Sequence, residues 1–310
     1  MKRKILKSIC LSLVLASLLS VTGFCSDIDN TQISEDNILE NKVGYNEATL
    51  LHYACQIGDT ETVKYLIDRG ADVNSLDACD DTPLHYACIY GNLDIVKILL
   101  DNGANVNSLD YFDTTPLYTA VSNADIVSLL IENGADIEIA NFLGDTPLIH
   151  ACSHGYTESM KVMLENGADA NCVTEYGSYP IHYVTNEEQI DLLLQYGADI
   201  NSKDLYTGST PLEYAIYDID LVKIILDKGA DVNSTNSYGN TALIFALDSY
   251  ILNEDIIKLL LDNGADVNIK NNCGKYALNY ALDTGNENII KLISEKSSMD
   301  VINSILINNI

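Results

Sequence analysis

A seven-residue motif that returns every 31 to 35 residues constrains this chain more than any other feature. Residues 82–88 read TPLHYAC and residues 49–55 read TLLHYAC, an offset of 33. The first motif position then recurs at six further places: Thr115, Thr146, Tyr179, Thr210, Thr241 and Tyr276. A second motif, GADVN at residues 70–74, keeps the same rhythm and recurs from Gly103, Gly134, Gly167, Gly197, Gly229 and Gly264. Two motifs in a fixed register predict one structural unit, repeated along the chain.

The residues of one unit predict a pair of helices. Thr82 is a good N-cap, and Pro83 suits the first helical position because its missing N–H group needs no partner there. The segment 94–100 reads DIVKILL, with more apolar surface than one stripe can bury. Gly103 then supplies the positive φ that ends a helix. Each unit is too small to bury its apolar faces alone, so neighbouring units are expected to stack.

These motifs resemble the ankyrin repeat family, whose unit opens with Thr-Pro-Leu-His-x-Ala. The resemblance covers residues 41–310 and implies an all-α fold, an ankyrin-repeat solenoid of about eight helix-turn-helix units with β-hairpin fingers. The eighth unit ends in Ser297-Ser298-Met299 instead of Gly-Ala-Asp, so we interpret it as a C-terminal cap, with a short final helix over 301–310. The family is defined by its architecture, so the resemblance implies a binding role without naming a partner.

Three departures from the pattern carry predictions. The helix pairs of the third and sixth units are two residues shorter than that of the second, and the pair of the seventh is two residues longer through 249–253. We expect the turn between the two helices to absorb these changes. In the fifth unit Tyr179 replaces the capping threonine, which predicts a weaker cap.

The first residues predict a secretory signal peptide over 1–23. Four cations come first: Lys2, Arg3, Lys4 and Lys7. An apolar run of about 13 residues follows them, which is too short to cross a bilayer. Val21 and Gly23 fit the cleavage positions, which leaves Phe24 at the mature N-terminus and 24–40 as a flexible leader. Lipid attachment at Cys25 and an uncleaved membrane anchor are alternatives. The expected location is periplasmic or secreted, without membrane insertion after cleavage.

The charge balance excludes one class of partner. The chain has 17 Lys+Arg and 45 Asp+Glu residues, a formal net charge of −28. Removing the signal peptide leaves 13 cations against 45 acids, or −32. So negative a protein is repelled by phosphate backbones and anionic lipids, which argues against nucleic-acid binding.

Candidate chemical sites have a structural interpretation. His52 with Cys55, and His85 with Cys88, have the spacing of a zinc half-site. The resemblance instead implies that these imidazoles tie a helix to the neighbouring loop, with the cysteines buried. The Asp- and Asn-rich segment 262–268 lacks the ligand order of a calcium loop, and turn chemistry explains it better. Without a phosphate cradle or nucleophile motif, we expect no enzyme activity, metal or cofactor.

The fingertips carry the functional hypothesis. Large side chains occupy positions where turns prefer Gly, Asn, Asp or Ser. The predicted protein-binding residues are Tyr45, Tyr111, Phe112, Phe142, Leu143, Tyr176, Tyr206 and Tyr238. Aromatic residues dominate binding hot spots, and acidic residues surround these tips. The partner is then expected to be a protein with basic and apolar groups.

Two functions compete. The first is an exported, monomeric, non-enzymatic module that binds a protein through its concave finger and inner-helix surface. The alternative is a structural or envelope-associated spacer in which the tip rings only pack on adjacent fingers. The binding hypothesis predicts that Phe112, Phe142 and Tyr176 are exposed and unpaired. The stacked core predicts that Cys25, Cys79 and Cys273 are exposed, while Cys55, Cys88 and Cys152 are buried.

Overall fold

A computed structural model describes residue 42 and residues 46–308. The signal peptide, the leader, Cys25 and Tyr45 lie outside the described residues. Two helices form each repeat, in the order α1 Leu50–Ile57, α2 Thr60–Asp68, α3 Pro83–Ile89, α4 Leu93–Asp101, α5 Pro116–Thr119, α6 Ala124–Glu132, α7 Pro147–His154, α8 Thr157–Glu165, a 3₁₀ turn Pro180–His182, α9 Glu187–Gln195, α10 Pro211–Tyr214, α11 Ile219–Asp227, α12 Ala242–Leu247, α13 Glu254–Asp262, α14 Ala277–Thr284 and α15 Glu287–Lys296. The last helix is α16, Met299–Asn308.

The chain divides into two compact units. Unit 1 extends to Phe142 and includes Glu165–Gly167, so it holds the first three repeats. Unit 2 comprises Leu143–Leu164 and Ala168–Ile310, and so holds the later repeats. Within each unit, successive helix pairs stack on one another, as α1 on α3 and α12 on α14.

The capping residues act as the sequence predicts. The hydroxyl of Thr115 accepts a hydrogen bond from the Tyr118 N–H at 3.2 Å, and Pro116 occupies the first turn. At the end of the preceding helix pair, after α4, Gly103 has a φ of 85°. This turn lets the Ala104 N–H donate to the carbonyl of Leu99 at 3.0 Å, which satisfies a carbonyl at the helix end.

The asparagine of the GADVN motif joins consecutive repeats. The Asn74 side chain donates to the Gly103 carbonyl at 3.0 Å and accepts from the Asn105 N–H at 2.7 Å. Asn233 makes the same pair of bonds in unit 2, to Gly264 and Asp266. These Asp- and Asn-rich segments are therefore turns that link neighbouring repeats, as the sequence predicts.

The fingers are turns and not β-hairpins in the part of the chain that the structure describes, where an isolated bridge pairs Thr235 with Thr241. A finger closes through a bond such as that from the Asp77 N–H to the Asp81 carbonyl, at 3.0 Å. Neighbouring fingers are linked by a backbone bond such as that from the Tyr111 N–H to the Cys79 carbonyl, at 2.8 Å. The segments on either side of each finger turn are too short to form a ladder of paired strands.

The expectation for the short repeats is wrong. Their second helices keep nine residues, and the first helix shortens: α5 and α10 have four residues where α3 has seven. The last turn of α3 explains why, because Ile89 and Tyr90 there are exposed, so losing that turn costs little buried surface. The two-residue insertion of the seventh repeat does lie in the loop between α12 and α13, as predicted.

The fifth repeat has the weakest first helix. The Tyr179 side chain accepts no capping hydrogen bond, and one 3₁₀ turn follows it. The side-chain cap is absent here, as predicted, although the threonines at the same position in the first and sixth repeats, Thr49 and Thr210, make no such bond either. At the chain end, α16 begins two residues before the expected position, and the Ser298 N–H donates to Asn268 at 2.7 Å.

Candidate functional site

The aromatic residues at the fingertips are exposed in both units. We call these residues the fingertip aromatics: Tyr111, Phe112 and Phe142 in unit 1, and Tyr176, Tyr206 and Tyr238 in unit 2. Their exposed fractions lie between 50% for Phe142 and 71% for Tyr111. Leu143 is half-buried, which differs from its predicted place on an open surface, and Tyr45 lies outside the described residues.

A carboxylate or amide two residues before the tip fixes each of several fingers. Asp110 accepts hydrogen bonds from the Phe112 and Thr114 N–H groups, both at 2.8 Å. Asn236 does the same for the Tyr238 N–H at 3.0 Å and for the Asn240 N–H at 3.1 Å. Such turns hold the aromatic residue in place before any partner arrives, which lowers the entropy cost of binding.

The rings of unit 1 contact one another. Tyr111 lies edge-on to Phe112 with ring centroids 5.3 Å apart, and Phe112 and Phe142 are 5.8 Å apart. The expectation of unpaired rings is therefore wrong for Phe112 and Phe142, because stacked fingers bring neighbouring tips within ring contact. The result is a small exposed aromatic cluster.

The close stacking of neighbouring fingers explains why position 177 is a glycine. Gly177 has a φ of 75°, and a Cβ atom there would lie 2.8 Å from the Cβ of Leu205 and 3.0 Å from its amide nitrogen. A larger residue would force the two fingers apart. Glycine at this position therefore sets the spacing at which Tyr176 and Tyr206 are presented.

The fingers of unit 1 are strongly acidic. Burial, together with the neighbouring carboxylates of Asp77, Asp110 and Asp80, raises the pKa of Asp81 to about 7. A basic group brought to these fingers would relieve this repulsion. The electrostatics therefore favour a cationic partner over an anionic one.

The histidines of the repeated motif act as structural ties. The Thr49 N–H donates to Nδ1 of His52 at 3.1 Å, so Nε2 carries the proton and donates to the Asp81 carbonyl at 3.0 Å. His85 and His182 repeat this arrangement with the carbonyls of Thr114 and Ser209. Burial lowers the pKa of all three imidazoles. Both ring nitrogens of each are used within the fold, as predicted.

The cysteines follow the predicted burial. Cys79 and Cys273 are exposed, whereas Cys55, Cys88 and Cys152 are buried, and all of these are free thiols. Over the described residues, no three His, Cys, Asp or Glu side chains come together as a metal site would require. The same part of the chain contains no helix with the length and apolarity to span a membrane.

One site was missed by sequence reasoning. In the sixth repeat Glu213 takes the motif position of His52, His85 and His182. It is buried and lines a pocket of about 350 Å³ in unit 2, together with Tyr214 and Tyr238. The signal was visible in the sequence, as the only acidic residue at that position of the eight repeats.

Stacked helix pairs joined by short fingers define a helical-repeat scaffold, and the chain belongs to the ankyrin repeat family. The family model for ankyrin repeats, in three copies, matches residues 18–110, 109–174, 163–236, 182–271 and 217–304. The predicted family and fold are thereby confirmed. Ankyrin repeats serve as protein–protein interaction modules, which is the general function of this scaffold.

Relatives share the repeat over short stretches. BCL-6 corepressor-like protein 1 of Homo sapiens is 41% identical over 71 residues, 22% of this chain and 4% of that protein. Ankyrin repeat and SOCS box protein 6 of Mus musculus is 34% identical over 102 residues, 31% of this chain and 24% of that protein. This chain thus spans less than a quarter of the length of either relative.

A solved structure resembles most of the chain. The crystal structure of the ankyrin repeat domain of Bcl-3, described as a unique member of the IkappaB protein family, matches with a TM-score of 0.60 and 29% identity. The match covers 69% of this chain and 98% of that one.

Proposed function

We propose that this chain is an exported, non-enzymatic binding module that recognises a partner protein through its fingers and inner helices. The proposed contact residues are the fingertip aromatics and Leu143, together with Tyr45, which lies outside the described residues. The module acts as a monomer and needs no cofactor.

The observation that carries this proposal is the exposed aromatic cluster of Tyr111, Phe112 and Phe142. Half or more of each side chain is open to solvent, although the surrounding turns fix the backbone that presents it. Exposed aromatic surface that is held rigid is costly to keep in water and well suited to binding. A partner that covers it recovers that apolar surface with little loss of conformational entropy.

The charge of the fingers selects the chemistry of the partner. The carboxylates of Asp77 and Asp110 raise the pKa of Asp81, so a basic surface would relieve this repulsion. The proposed partner therefore combines Lys or Arg side chains with apolar groups that pack on the rings. Nucleic acids and anionic membranes do not fit this surface.

The spacer function remains the second candidate, and one observation favours it. The contact between Phe112 and Phe142, at 5.8 Å, is what a finger-stiffening role requires. In a spacer these rings would matter for folding stability and not for association.

Export rests on residues 1–23, and its test is separate. Intact-mass analysis of the protein from its native host distinguishes three products. A mature chain that starts at Phe24 supports a cleaved signal peptide, a diacylglyceryl mass on Cys25 supports lipid anchoring, and a full-length mass contradicts both.

A pull-down from the exported fraction tests the binding function. The bait is the mature protein beside a variant that carries Phe112→Ser, Phe142→Ser and Tyr176→Ser. The matched control carries Tyr250→Ser and Ile251→Ser, which remove exposed apolar surface from the loop before α13 and leave the fingers intact. A protein captured by the wild type and the control but lost from the fingertip variant supports the proposal. Equal capture by all three, or none, supports the spacer.

A further inference from the structure

Glu213 occupies a motif position where its side chain cannot make the usual bond. In the first, second and fifth repeats a histidine there donates from Nε2 to the carbonyl of the residue before the next repeat, as His182 does to Ser209 at 3.1 Å. The equivalent carbonyl in the sixth repeat belongs to Asn240, which accepts from the Asn236 N–H at 2.9 Å, as the carbonyls that the histidines bond also do within their own fingers. An ionised carboxylate has no proton to donate to it.

The carboxylate is consequently left half-satisfied. Oε2 of Glu213 accepts from the Thr210 N–H at 3.2 Å, whereas Oε1 has no hydrogen-bond partner although it is buried. Among the described residues it is the one buried side-chain oxygen or nitrogen in this state. Burial raises the pKa of this carboxyl to about 7, against opposing contributions from the Ser209 hydroxyl and the Thr210 amide. A buried acceptor without a donor is energetically costly, and a bound group that donates to it would remove that cost.

The cavity that Glu213 lines has aromatic walls. Tyr214, Tyr217, Tyr238 and Phe245 line it, and its volume is about 350 Å³, within the range of small-ligand sites. The hydroxyl of Tyr214 is hydrogen-bonded with that of Ser178 at 2.9 Å, so one wall is held in place. Aromatic faces around an acidic group attract an organic cation by cation–π and charge interactions together.

We infer that this pocket of unit 2 binds the alkylammonium group of a lysine side chain, with Glu213 Oε1 accepting its N–H and the tyrosine rings enclosing its methylene groups. The inference rests on the proposed function, since a partner protein presents the lysine. Arginine fits less well, because the Thr210 amide occupies Oε2 and leaves one oxygen where a guanidinium prefers two. The lysine ammonium is a compact charge, so a single carboxylate oxygen is enough to pair with it.

Titration with small probes tests the pocket without any partner. The probes are Nα-acetyl-lysine methylamide, its norleucine analogue, which lacks the charge, and the corresponding arginine compound. Binding to the full mature protein is followed by NMR at about pH 8, where Glu213 is ionised and lysine is protonated. The wild type should bind the lysine probe about tenfold more tightly than the norleucine probe. Equal binding of these two probes, or tighter binding of the arginine probe, would overturn the inference.

Two variants tie the binding to Glu213. Glu213→Gln removes the charge, and Glu213→His installs the residue that three other repeats carry at this position. Both should fold with native helix content and lose the preference for the lysine probe, while Tyr250→Ser, which lies outside the pocket, should keep it. A lysine preference that survives in folded Glu213→Gln would contradict the assignment.

The outcome separates this inference from the proposed function. Lysine binding that depends on Glu213, in a protein that captures no partner, would leave the pocket standing and the binding module refuted. A partner captured through the fingertip aromatics with equal affinity by wild type and Glu213→Gln would refute the pocket as a lysine site for that partner.

Discussion

The buried carboxyl of Glu213 should make the stability of the protein depend on pH. Burial raises the pKa of this group from 4.5 to about 7, with Asp204 adding to the shift and Lys203 opposing it. Between these two values the folded state keeps a proton that the unfolded chain has released. The free energy of unfolding therefore falls as the pH rises through this window, by about 1.4 kcal/mol per pH unit and about 3 kcal/mol in total. Above about pH 7 this contribution is constant.

Glu213→Gln removes the titration and keeps the shape of the side chain. Urea unfolding of wild type and variant, followed by tyrosine fluorescence and circular dichroism at pH 5 and pH 8, measures the effect. The variant should gain about 2–3 kcal/mol relative to wild type between pH 5 and pH 8. Asp81 also titrates near pH 7, but it is common to both proteins and cancels in the difference. Parallel pH profiles, within about 0.5 kcal/mol, would refute the reasoning.

Three further predictions concern the scaffold. Leu99→Asp places a charge in the fully buried core of unit 1 and should split the unfolding of the repeats on either side into separate transitions, so one unchanged cooperative melt would contradict the stacked-repeat account. By urea unfolding, Gly177→Ala should lower the free energy of unfolding by about 1–3 kcal/mol more than Gly229→Ala does. Both glycines have positive φ, but only a Cβ atom at position 177 would meet a neighbouring finger. Equal losses of stability in the two variants would contradict this. A thiol probe on the native protein should modify the exposed thiols of Cys79 and Cys273 within minutes. It should modify the buried thiols only after unfolding; these are Cys55, Cys88 and Cys152. Uniform labelling would contradict the burial pattern.

Local chemistry made much of the fold predictable from the sequence. Thr115 and Pro116 at a helix start, and Gly103 at a helix end, specify boundaries through caps whose partners lie within a few residues. The bond of His85 to the next finger was also predictable, since the repeat places the same carbonyl opposite it each time. These features depend on residue type and register, which a repeated sequence shows directly.

Features that depend on tertiary packing were not predictable in the same way. The shortening of α5 depends on which turn of the helix pair is exposed, and residue spacing does not reveal that. The contact of Phe112 with Phe142 follows from the distance between fingers. The pocket lined by Glu213 depends on which side chains, such as Tyr214 and Tyr238, the stacking brings around it, although the unusual glutamate itself was visible in the sequence.

The central claim is that the fingertip aromatics form a protein-binding surface, and an affinity measurement tests it most directly. Calorimetry of the captured partner would compare wild type with two variants, Phe112→Ser/Phe142→Ser and the control Tyr250→Ser/Ile251→Ser. Hot-spot aromatics contribute about 2 kcal/mol each, so the fingertip variant should bind at least about 100-fold more weakly, with the control within about twofold of wild type. A fingertip variant that stays folded and binds within about threefold of wild type would contradict the claim.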